Sequence, residues 1–343
     1  AKKCAAKTGA MVALDIGSLG KIMTPSGSLS FDEAAECFSE QIIAGKDADY
    51  IAMETFTDLY ELKAAIIAAK EVSSLPVTAT VSIDEKGRLL CGADLETVIS
   101  VLEGLKVDGL GINCGFGPKQ YKEAFDEIIK MTSLPIVILP NAGLPHVQNG
   151  EVYYDTTPDE FAEYMKYFAE NGAAIVGGCC GTTPLHIEKT VKLVNGTDYI
   201  ERRTEKRTSV SSYAKTVFFN EKPVIIGERI NPTGKKKLKE AIIKNDSDYI
   251  LKEAISQKDA GADVLDVNVG ITGINEADVI CKTIIAIQNV CDLPLQIDSS
   301  SPEVLEKAMR IYNGKPLVNS VNGKQEIMEA VFPAVKKYGA ALI

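Results

Sequence analysis

The amino-acid sequence predicts an α/β fold: two (β/α)8 barrels of the TIM type in tandem, both truncated in this chain. Two observations lead to this class. Short apolar runs that suit buried strands alternate with amphipathic stretches of helical period, which is typical of parallel β/α units. The alternation runs through residues 1–195, stops over residues 196–221 and resumes over residues 222–343. We therefore expect one barrel on each side of a polar, locally basic linker.

The first series contains six predicted β/α units. Its buried strands are expected at residues 11–16, 50–54, 76–82, 109–113, 135–139 and 173–178. Its helices, which carry apolar residues at helical spacing, are expected at residues 31–44, 58–71, 94–105, 119–131, 158–170 and 184–194. The last helix begins with Thr-Thr-Pro, where threonine can cap the helix and proline fits its first turn.

The second series has four predicted units and the start of a fifth. Its strands are expected at residues 223–227, 263–267, 293–298 and 316–319, with a last apolar run beginning at Ala340. Because a closed barrel needs eight units, we expect the first barrel to lack about two units at its start and the second about half its units at its end. The chain also begins without methionine, so we expect an internal piece of a longer protein. The alternative, an open doubly wound sheet, is disfavoured because no Gly-x-Gly-x-x-Gly turn follows a strand.

The composition narrows the class of function. The 343 residues carry a formal net charge of −10, which argues against a general binder of nucleic acid or of membrane surfaces. No apolar run approaches the roughly 20 residues that a membrane helix needs, and the first residues show no secretory signal. Eight cysteines without regular disulfide spacing suggest a reducing compartment, so we expect a cytoplasmic protein. Because the chain has two histidines, a histidine-rich metal site is excluded.

The most informative segment is AIVGGCCGTTPLH at residues 174–186, where adjacent Cys179 and Cys180 stand between glycines. Neighbouring side chains of a regular strand point to opposite faces, so both thiols can reach one metal only if the glycines let the backbone bend. Cys114 follows another predicted strand in the sequence GINCGFGP. Three thiolates at strand ends, with a fourth position open, describe a catalytic zinc site. The competing interpretation is three free, partly buried thiols.

A second group of polar residues stands at the strand ends of the second series. Acidic and amide side chains make up this group: Glu228, Asn231, Asp266, Asn268, Asp298 and Asn319. Such a set of hydrogen-bond donors and acceptors suits a neutral heterocycle. Each residue alone could be a turn or a helix cap, but their recurrence at successive strand ends favours a binding site.

The motifs GINC and GGCCGTTP resemble the homocysteine-binding domain shared by methionine synthases and by the betaine– and S-methylmethionine–homocysteine methyltransferases. The resemblance covers about residues 1–195. It implies that Cys114, Cys179 and Cys180 bind zinc, which holds the homocysteine thiol as a reactive thiolate. The sequence METF resembles the family segment whose glutamate holds the amino group of homocysteine, which implies that role for Glu54.

The sequences IGERINPTG, DVNVG, IDSS and NS resemble the pterin-binding domain of folate-dependent methyltransferases, relatives of dihydropteroate synthase. This resemblance implies that Asp298 and Asn319 bind the pterin ring. The two domains in this order resemble the cobalamin-dependent methionine synthases, which implies methyl transfer from 5-methyltetrahydrofolate through cobalamin to homocysteine.

The cobalamin module, with its Asp-x-His-x-x-Gly motif, is not in this sequence, so we expect it in the same protein or in a partner chain. Two alternatives stay open. The first barrel could take its methyl group directly from S-methylmethionine or betaine, or the chain could be a non-catalytic fragment that binds zinc and ligands.

Overall fold

The computed structural model describes residues 1–148, 150–205, 207–220 and 222–343, and within them the chain is an α/β protein. The strands are β1 Ala13–Ile16, β2 Tyr50–Phe56, β3 Val77–Val81, β4 Gly109–Asn113, β5 Ile136–Leu139, β6 Pro145–Gln148, β7 Glu151–Tyr154, β8 Ala173–Val176, β9 Ser209–Ser211, β10 Thr216–Phe218, β11 Ile226–Ile230, β12 Val264–Val267, β13 Leu295–Asp298, β14 Leu317–Asn319 and β15 Ala341–Leu342. The helices are α1 Lys2–Ala5, α2 Phe31–Ala44, α3 Leu59–Val72, α4 Leu95–Gly104, α5 Pro118–Met131, α6 Pro158–Glu170, α7 Pro184–Val194, α8 Lys236–Lys244, α9 Ser247–Asp259, α10 Glu276–Gln288, α11 Pro302–Ile311 and α12 Gln325–Tyr338. None of the described helices has the length and apolar character needed to cross a membrane.

The first sheet has the strand order β1-β2-β3-β4-β5-β8, and every neighbouring pair is parallel. The intervening β6 and β7 form a separate antiparallel hairpin. Each crossover therefore returns the chain to the adjacent position of the sheet, as consecutive β/α units require. The predicted α/β class with parallel strands is confirmed. Among the described residues no pairing joins β1 to β8, so this sheet does not close into a barrel.

The second sheet has the order β11-β12-β13-β14-β15 and is also parallel throughout, and its described strands do not close either. Strand β11 begins at Ile226 rather than at residue 223 as predicted. Pro223 has no N–H to donate to a ladder, and the Ile225 N–H donates instead to the Asp263 carboxylate at 2.9 Å. As a result Glu228 lies inside the strand and not beyond its end.

Helix α3 shows how the first unit buries its apolar surface. Asp58 caps it, with the carboxylate accepting a hydrogen bond from Tyr60 N–H at 2.7 Å. Every residue from 59 to 69 is buried, so this helix, rich in alanine and isoleucine, is enclosed on all sides. The carboxylate of Glu61 within that stretch accepts hydrogen bonds from the Ser18 hydroxyl at 2.8 Å and from Leu19 N–H at 2.7 Å, which compensates its burial.

The chain divides into two compact units. The first comprises Ala1–Lys21, Asp32–Cys91 and Val107–Glu205, and the second comprises Ile22–Phe31, Gly92–Lys106 and the described chain after Glu205. The second unit thus includes α4, although the sequence places this helix between two strands of the first sheet. The pattern of apolar residues did not predict that α4 belongs to the second unit, because an amphipathic helix does not specify which sheet it covers.

The predicted linker, residues 196–221, holds a short hairpin. Its residues 206 and 221 lie outside the described residues. Strands β9 and β10 pair antiparallel, and Val210 is fully buried in a cluster with Val217, Val264 and Leu317. Strands of three residues are too short to show a period, so the sequence did not predict them. The domain boundaries at residues 195 and 222 stay a prediction.

Candidate functional site

Three cysteines converge at the carboxyl edge of the first sheet. Cys114 directly follows β4, and Cys179 and Cys180 follow β8. Their Sγ atoms all lie within 4.8 Å of one another, and the Sγ atoms of Cys114 and Cys180 are 3.8 Å apart. The structure thus brings together the three thiols that the sequence singled out, in a group that could hold a metal ion. Because Cys180 is exposed, a small molecule can reach the group from solvent.

The segment after β5 fixes the vicinal pair. Cys179 N–H donates to Pro140 O at 2.8 Å, and Cys180 N–H donates to Asn141 Oδ1 at 3.1 Å. In return Cys180 O accepts from Ala142 N–H at 2.9 Å. Both cysteines are therefore held by the segment after β5, through backbone groups of Pro140 and Ala142 and the side chain of Asn141, to which sequence reasoning assigned no role.

Three left-handed backbone positions let the thiols face one another. Cys114 has φ +62° and is followed by Gly115 at φ +70°, an uncommon pair that turns the chain sharply after β4. Gly181 has φ +78°, and a Cβ there would lie 2.2 Å from Tyr154 Cγ. Glycine is required at position 181 because of its left-handed backbone and because a side chain would collide with Tyr154. This agrees with the prediction that glycines beside the cysteines let the backbone bend.

The thiols of the group influence one another's ionisation. A hydrogen bond from Cys179 lowers the pKa of Cys114 to about 5, and the same interaction raises the pKa of Cys179. Tyr121 donates its hydroxyl to Cys114 O, and burial raises the pKa of this tyrosine, so it stays a protonated donor. The site thus stabilises a thiolate with groups of the chain itself.

Asn113, the last residue of β4, connects three strand ends beside the cysteines. It is fully buried, and its Oδ1 accepts hydrogen bonds from Thr55 N–H at 2.7 Å and from the Thr80 hydroxyl at 2.8 Å. Its Nδ2 donates to Thr55 Oγ1 at 2.7 Å and lies 4.0 Å from Cys179 Sγ. Sequence reasoning missed this residue, although it stands in the GINC motif.

Glu54 lies in β2, which β3 separates from the β4 strand that precedes Cys114, and it is next to the Thr55 that Asn113 binds. It is partly buried, and burial raises its pKa to about 6, with the negative charge of Asp15 adding to the effect. Asp15 lies on β1 opposite Ala52, so the two carboxylates belong to neighbouring strands. Sequence reasoning singled out Glu54 but not Asp15.

The second sheet carries the other predicted group. Asp266 is buried in β12 and accepts hydrogen bonds from Gln296 and Asn319. Burial raises the pKa of Asp266 to about 6, and the nearby charges of Asp298 and Glu228 raise it further. The structure therefore brings these four predicted residues into one electrostatic neighbourhood and adds Gln296, which the sequence did not single out.

Asn268 connects the ends of β12 and β13. Its Nδ2 donates to Asp298 Oδ2 at 3.0 Å, and its Oδ1 accepts from Gly270 N–H at 2.8 Å. A further pair stands next to it, because the Ser299 hydroxyl donates to Glu276 Oε1 at 2.6 Å. Sequence reasoning missed Ser299 and Glu276, although Ser299 stands in the IDSS sequence.

Asn231, the sixth predicted residue, and the carboxylate of Glu228 lie at the margin of this group. Asn231 Oδ1 accepts a hydrogen bond from Thr233 N–H at 3.1 Å, so it stabilises a turn. The Glu228 carboxylate is exposed and pairs with Lys235 Nζ at 2.7 Å.

The fold and the site define an α/β protein with three convergent thiols at the carboxyl edge of a parallel sheet. Comparison with known proteins identifies its family. The homocysteine S-methyltransferase family model matches residues 1–194, and the pterin binding enzyme model matches residues 227–343. The chain belongs to the homocysteine S-methyltransferase family and carries a pterin-binding domain after it.

Alignments with two curated relatives extend over both matched regions of this chain. The chain is 32% identical over 351 residues to the methionine synthase of Mycobacterium leprae and 32% identical over 346 residues to that of Mycobacterium tuberculosis. Each alignment covers 96% of this chain and 29% of the relative, so the chain spans less than a third of their length. Among solved structures, it is similar to the apo form of the homocysteine methyltransferase MmuM from Escherichia coli, with 23% identity, 56% of this chain and 68% of that chain covered, and a TM-score of 0.44.

Proposed function

We propose that this chain binds homocysteine at a zinc ion held by Cys114, Cys179 and Cys180 and binds 5-methyltetrahydrofolate in its second unit. Both sites would serve methyl transfer from the folate through cobalamin to homocysteine, which forms methionine. The observation that carries the proposal is the convergence of three thiols from two separate strand ends. Cobalamin would be bound by a module of the same protein or of a partner chain.

The geometry of the thiols fits zinc. With Zn–S bonds of about 2.3 Å, tetrahedral coordination places two sulfur atoms about 3.8 Å apart. The Sγ atoms of Cys114 and Cys180 are separated by 3.8 Å. Three thiolates also leave one tetrahedral position for the sulfur of homocysteine. Bound zinc would supply the positive charge that keeps this sulfur ionised at neutral pH.

The residues around the thiols orient the amino acid. Asn113 ties the end of β2 to the end of β4, so the distance between Glu54 and the cysteine group is fixed by hydrogen bonds. We propose that Glu54 accepts the ammonium group of homocysteine, aided by the charge of Asp15. Binding a cation between the two carboxylates would offset their mutual repulsion.

The polar group of the second sheet would seat the pterin ring. Pterins present several N–H donors and ring acceptors, which carboxylate and amide side chains can match. We propose that Asp298 and Asn319 bind the ring directly, while Asp266 and Asn268 hold them in place. Glu228 and Asn231 would shape the margin of the pocket.

We also propose that each sheet is part of a (β/α)8 barrel, with domains at residues 1–195 and 222–343. The strictly sequential order of parallel strands in both sheets supports this arrangement. A reducing, cytoplasmic location fits the eight cysteines, all of which are free thiols.

The zinc site is tested by comparing the wild-type chain with Cys179→Ser and, as a control, with Cys37→Ser on α2, which is exposed. Serine has the size of cysteine but is a hard, barely ionised ligand, so we expect Cys179→Ser to lose the metal. One zinc per chain and proton release on homocysteine binding are expected for the wild type and the control. Full zinc retention by Cys179→Ser would show that the site is wrongly assigned.

The methyl donor is tested separately. The zinc-loaded chain is supplied with homocysteine and with methylcobalamin, S-methylmethionine or betaine, and methionine is measured by mass spectrometry. We expect methionine from methylcobalamin. Methionine formed from S-methylmethionine or betaine would instead show direct transfer and would replace the cobalamin route.

A further inference from the structure

Cys180 is the exposed member of the three-thiol group that it forms with Cys114 and Cys179, and its exposure creates a problem of selectivity. A cysteine thiolate is itself a nucleophile, so a methyl donor that reaches the sulfur of homocysteine can also reach Cys180. Cys114 and Cys179 are partly buried, and their sulfur atoms accept hydrogen bonds from the backbone N–H of Gly115 and of Cys180 respectively. A hydrogen-bond donor to the exposed sulfur would stabilise its charge and make it a weaker nucleophile.

The hairpin β6–β7 brings a tyrosine hydroxyl to this thiol. Ala142, which precedes the hairpin, donates its N–H to Cys180 O at 2.9 Å and accepts a hydrogen bond at its own O from Thr156 N–H at 3.0 Å. His146 Nε2 and Asp155 Oδ2 form a further hydrogen bond of 2.9 Å across the base of the hairpin. The hairpin is therefore tied to the cysteine loop by the segments on both of its sides.

Tyr154, the last residue of β7, packs against the turn that follows Cys180. A Cβ at Gly181 would lie 2.2 Å from Tyr154 Cγ, so the ring lies directly against the Gly181 backbone. The hydroxyl of Tyr154 is hydrogen-bonded to the Cys180 thiol. Burial and the negative charge of Cys180 raise the pKa of Tyr154, so at neutral pH the hydroxyl is the donor and the sulfur is the acceptor. Because neighbouring side chains of a strand point to opposite faces, Tyr153 is exposed and stacks on His146 instead.

We infer that Tyr154 is a positioning residue whose hydrogen bond to Cys180 directs methyl transfer to the sulfur of homocysteine and away from this cysteine. The inference rests on the proposed function and deepens it, because it concerns which sulfur atom on the metal accepts the methyl group. Phenylalanine at position 154 would keep the ring and its packing against Gly181 but remove the donor. This substitution therefore separates the hydrogen bond from the structural role of the ring.

The test compares the zinc-loaded wild-type chain with Tyr154→Phe and uses iodomethane as the methyl donor. A thiolate sulfur forms a bond to the methyl carbon, the carbon–iodine bond breaks and iodide leaves with the electron pair, which leaves a neutral thioether. Peptide mapping by mass spectrometry follows the methylation of each cysteine, and a chromogenic chelator follows zinc release. We expect Cys180 to be methylated about fivefold faster in Tyr154→Phe, which corresponds to about 1 kcal/mol for one lost hydrogen bond. The matched control Tyr153→Phe makes the same chemical change on the opposite face of β7 and should react at the wild-type rate.

A spectroscopic measurement distinguishes hydrogen bonding from packing. With Co²⁺ in place of zinc, the thiolate-to-cobalt charge-transfer absorption reports the electron density on sulfur, which hydrogen bonds to the ligands tune. We expect this absorption at lower energy in Tyr154→Phe and unchanged in Tyr153→Phe. An unchanged methylation rate of Cys180 or an unchanged absorption in Tyr154→Phe overturns this inference and leaves the proposed function intact. Loss of zinc from Tyr154→Phe also overturns it, because the hydroxyl would then hold the site together, whereas a wild-type chain that binds no zinc overturns the proposed function as well.

Discussion

Replacing Asn113 by alanine removes the side chain that holds the candidate zinc site to its neighbouring strands. Asn113 is fully buried and makes three hydrogen bonds between 2.7 and 2.8 Å, two with Thr55 and one with Thr80. At about 1 kcal/mol for each buried hydrogen bond, the change should destabilise the ends of β2, β3 and β4 by about 3 kcal/mol. Because Cys114 is the next residue, we also expect zinc affinity to fall.

The assay is amide hydrogen exchange followed by mass spectrometry, which gives the free energy of opening for each strand without assuming that the chain unfolds as one unit. Thr80→Val removes one of the three bonds and should cost about 1 kcal/mol. Asn195→Ala, at an exposed position after α7, is the control and should leave the exchange of β4 unchanged. If Asn113→Ala leaves the free energies of opening of β2 and β4 unchanged to within about 1 kcal/mol, or raises them, the network does not hold the site.

Three further predictions address the two sites. Gly181→Ala should lower zinc affinity at least about tenfold. Gly196 has the same left-handed backbone but open space around it, so Gly196→Ala should reduce folding stability by about 1 kcal/mol and leave zinc affinity unchanged. Equal zinc affinities of the two variants would refute the role of the Tyr154 contact. The KM for homocysteine should rise as the pH falls through about 6, where Glu54 becomes protonated, and Glu54→Gln should abolish this dependence; a wild-type KM that is constant from pH 5 to 7.5 contradicts the assignment. Asp298→Asn should weaken 5-methyltetrahydrofolate binding by about 1–3 kcal/mol in calorimetry without loss of zinc, and loss of zinc in that variant would mean that the two sites are not independent.

The sequence predicted the regular elements well because parallel strands buried on both faces are apolar runs that stand out from amphipathic helices. Helices α2, α6 and α7 have the predicted bounds. The hairpin β6–β7 was not predicted, because its valines at positions 147 and 152 are exposed and leave no alternation with a buried face. Helix α4 was predicted as an element, but its membership of the second unit depends on contacts that are distant in sequence.

The candidate site was predictable to the extent that its signal is local. Adjacent cysteines between glycines form an unusual local pattern, so Cys179 and Cys180 could be identified without a structure. Asn113 carries no such signal, because its role exists only when the ends of β2 and β3 lie beside it. The same holds for Gln296, whose amide reaches Asp266 across two paired strands.

The sequential order of the first sheet has a consequence for how the chain assembles during synthesis. Each new strand adds to one growing edge, so β1 to β4 can dock while the rest of the unit is still being translated. Cys114 is therefore in place several seconds before Cys179 and Cys180 leave the ribosome, at about 5–20 residues per second. During that interval β5 pairs with β4 first, and the later arrival of β8 beside β5 brings the other two cysteines to Cys114 and completes the set of candidate metal ligands. The three-thiol group is therefore complete only at the end of folding of this unit.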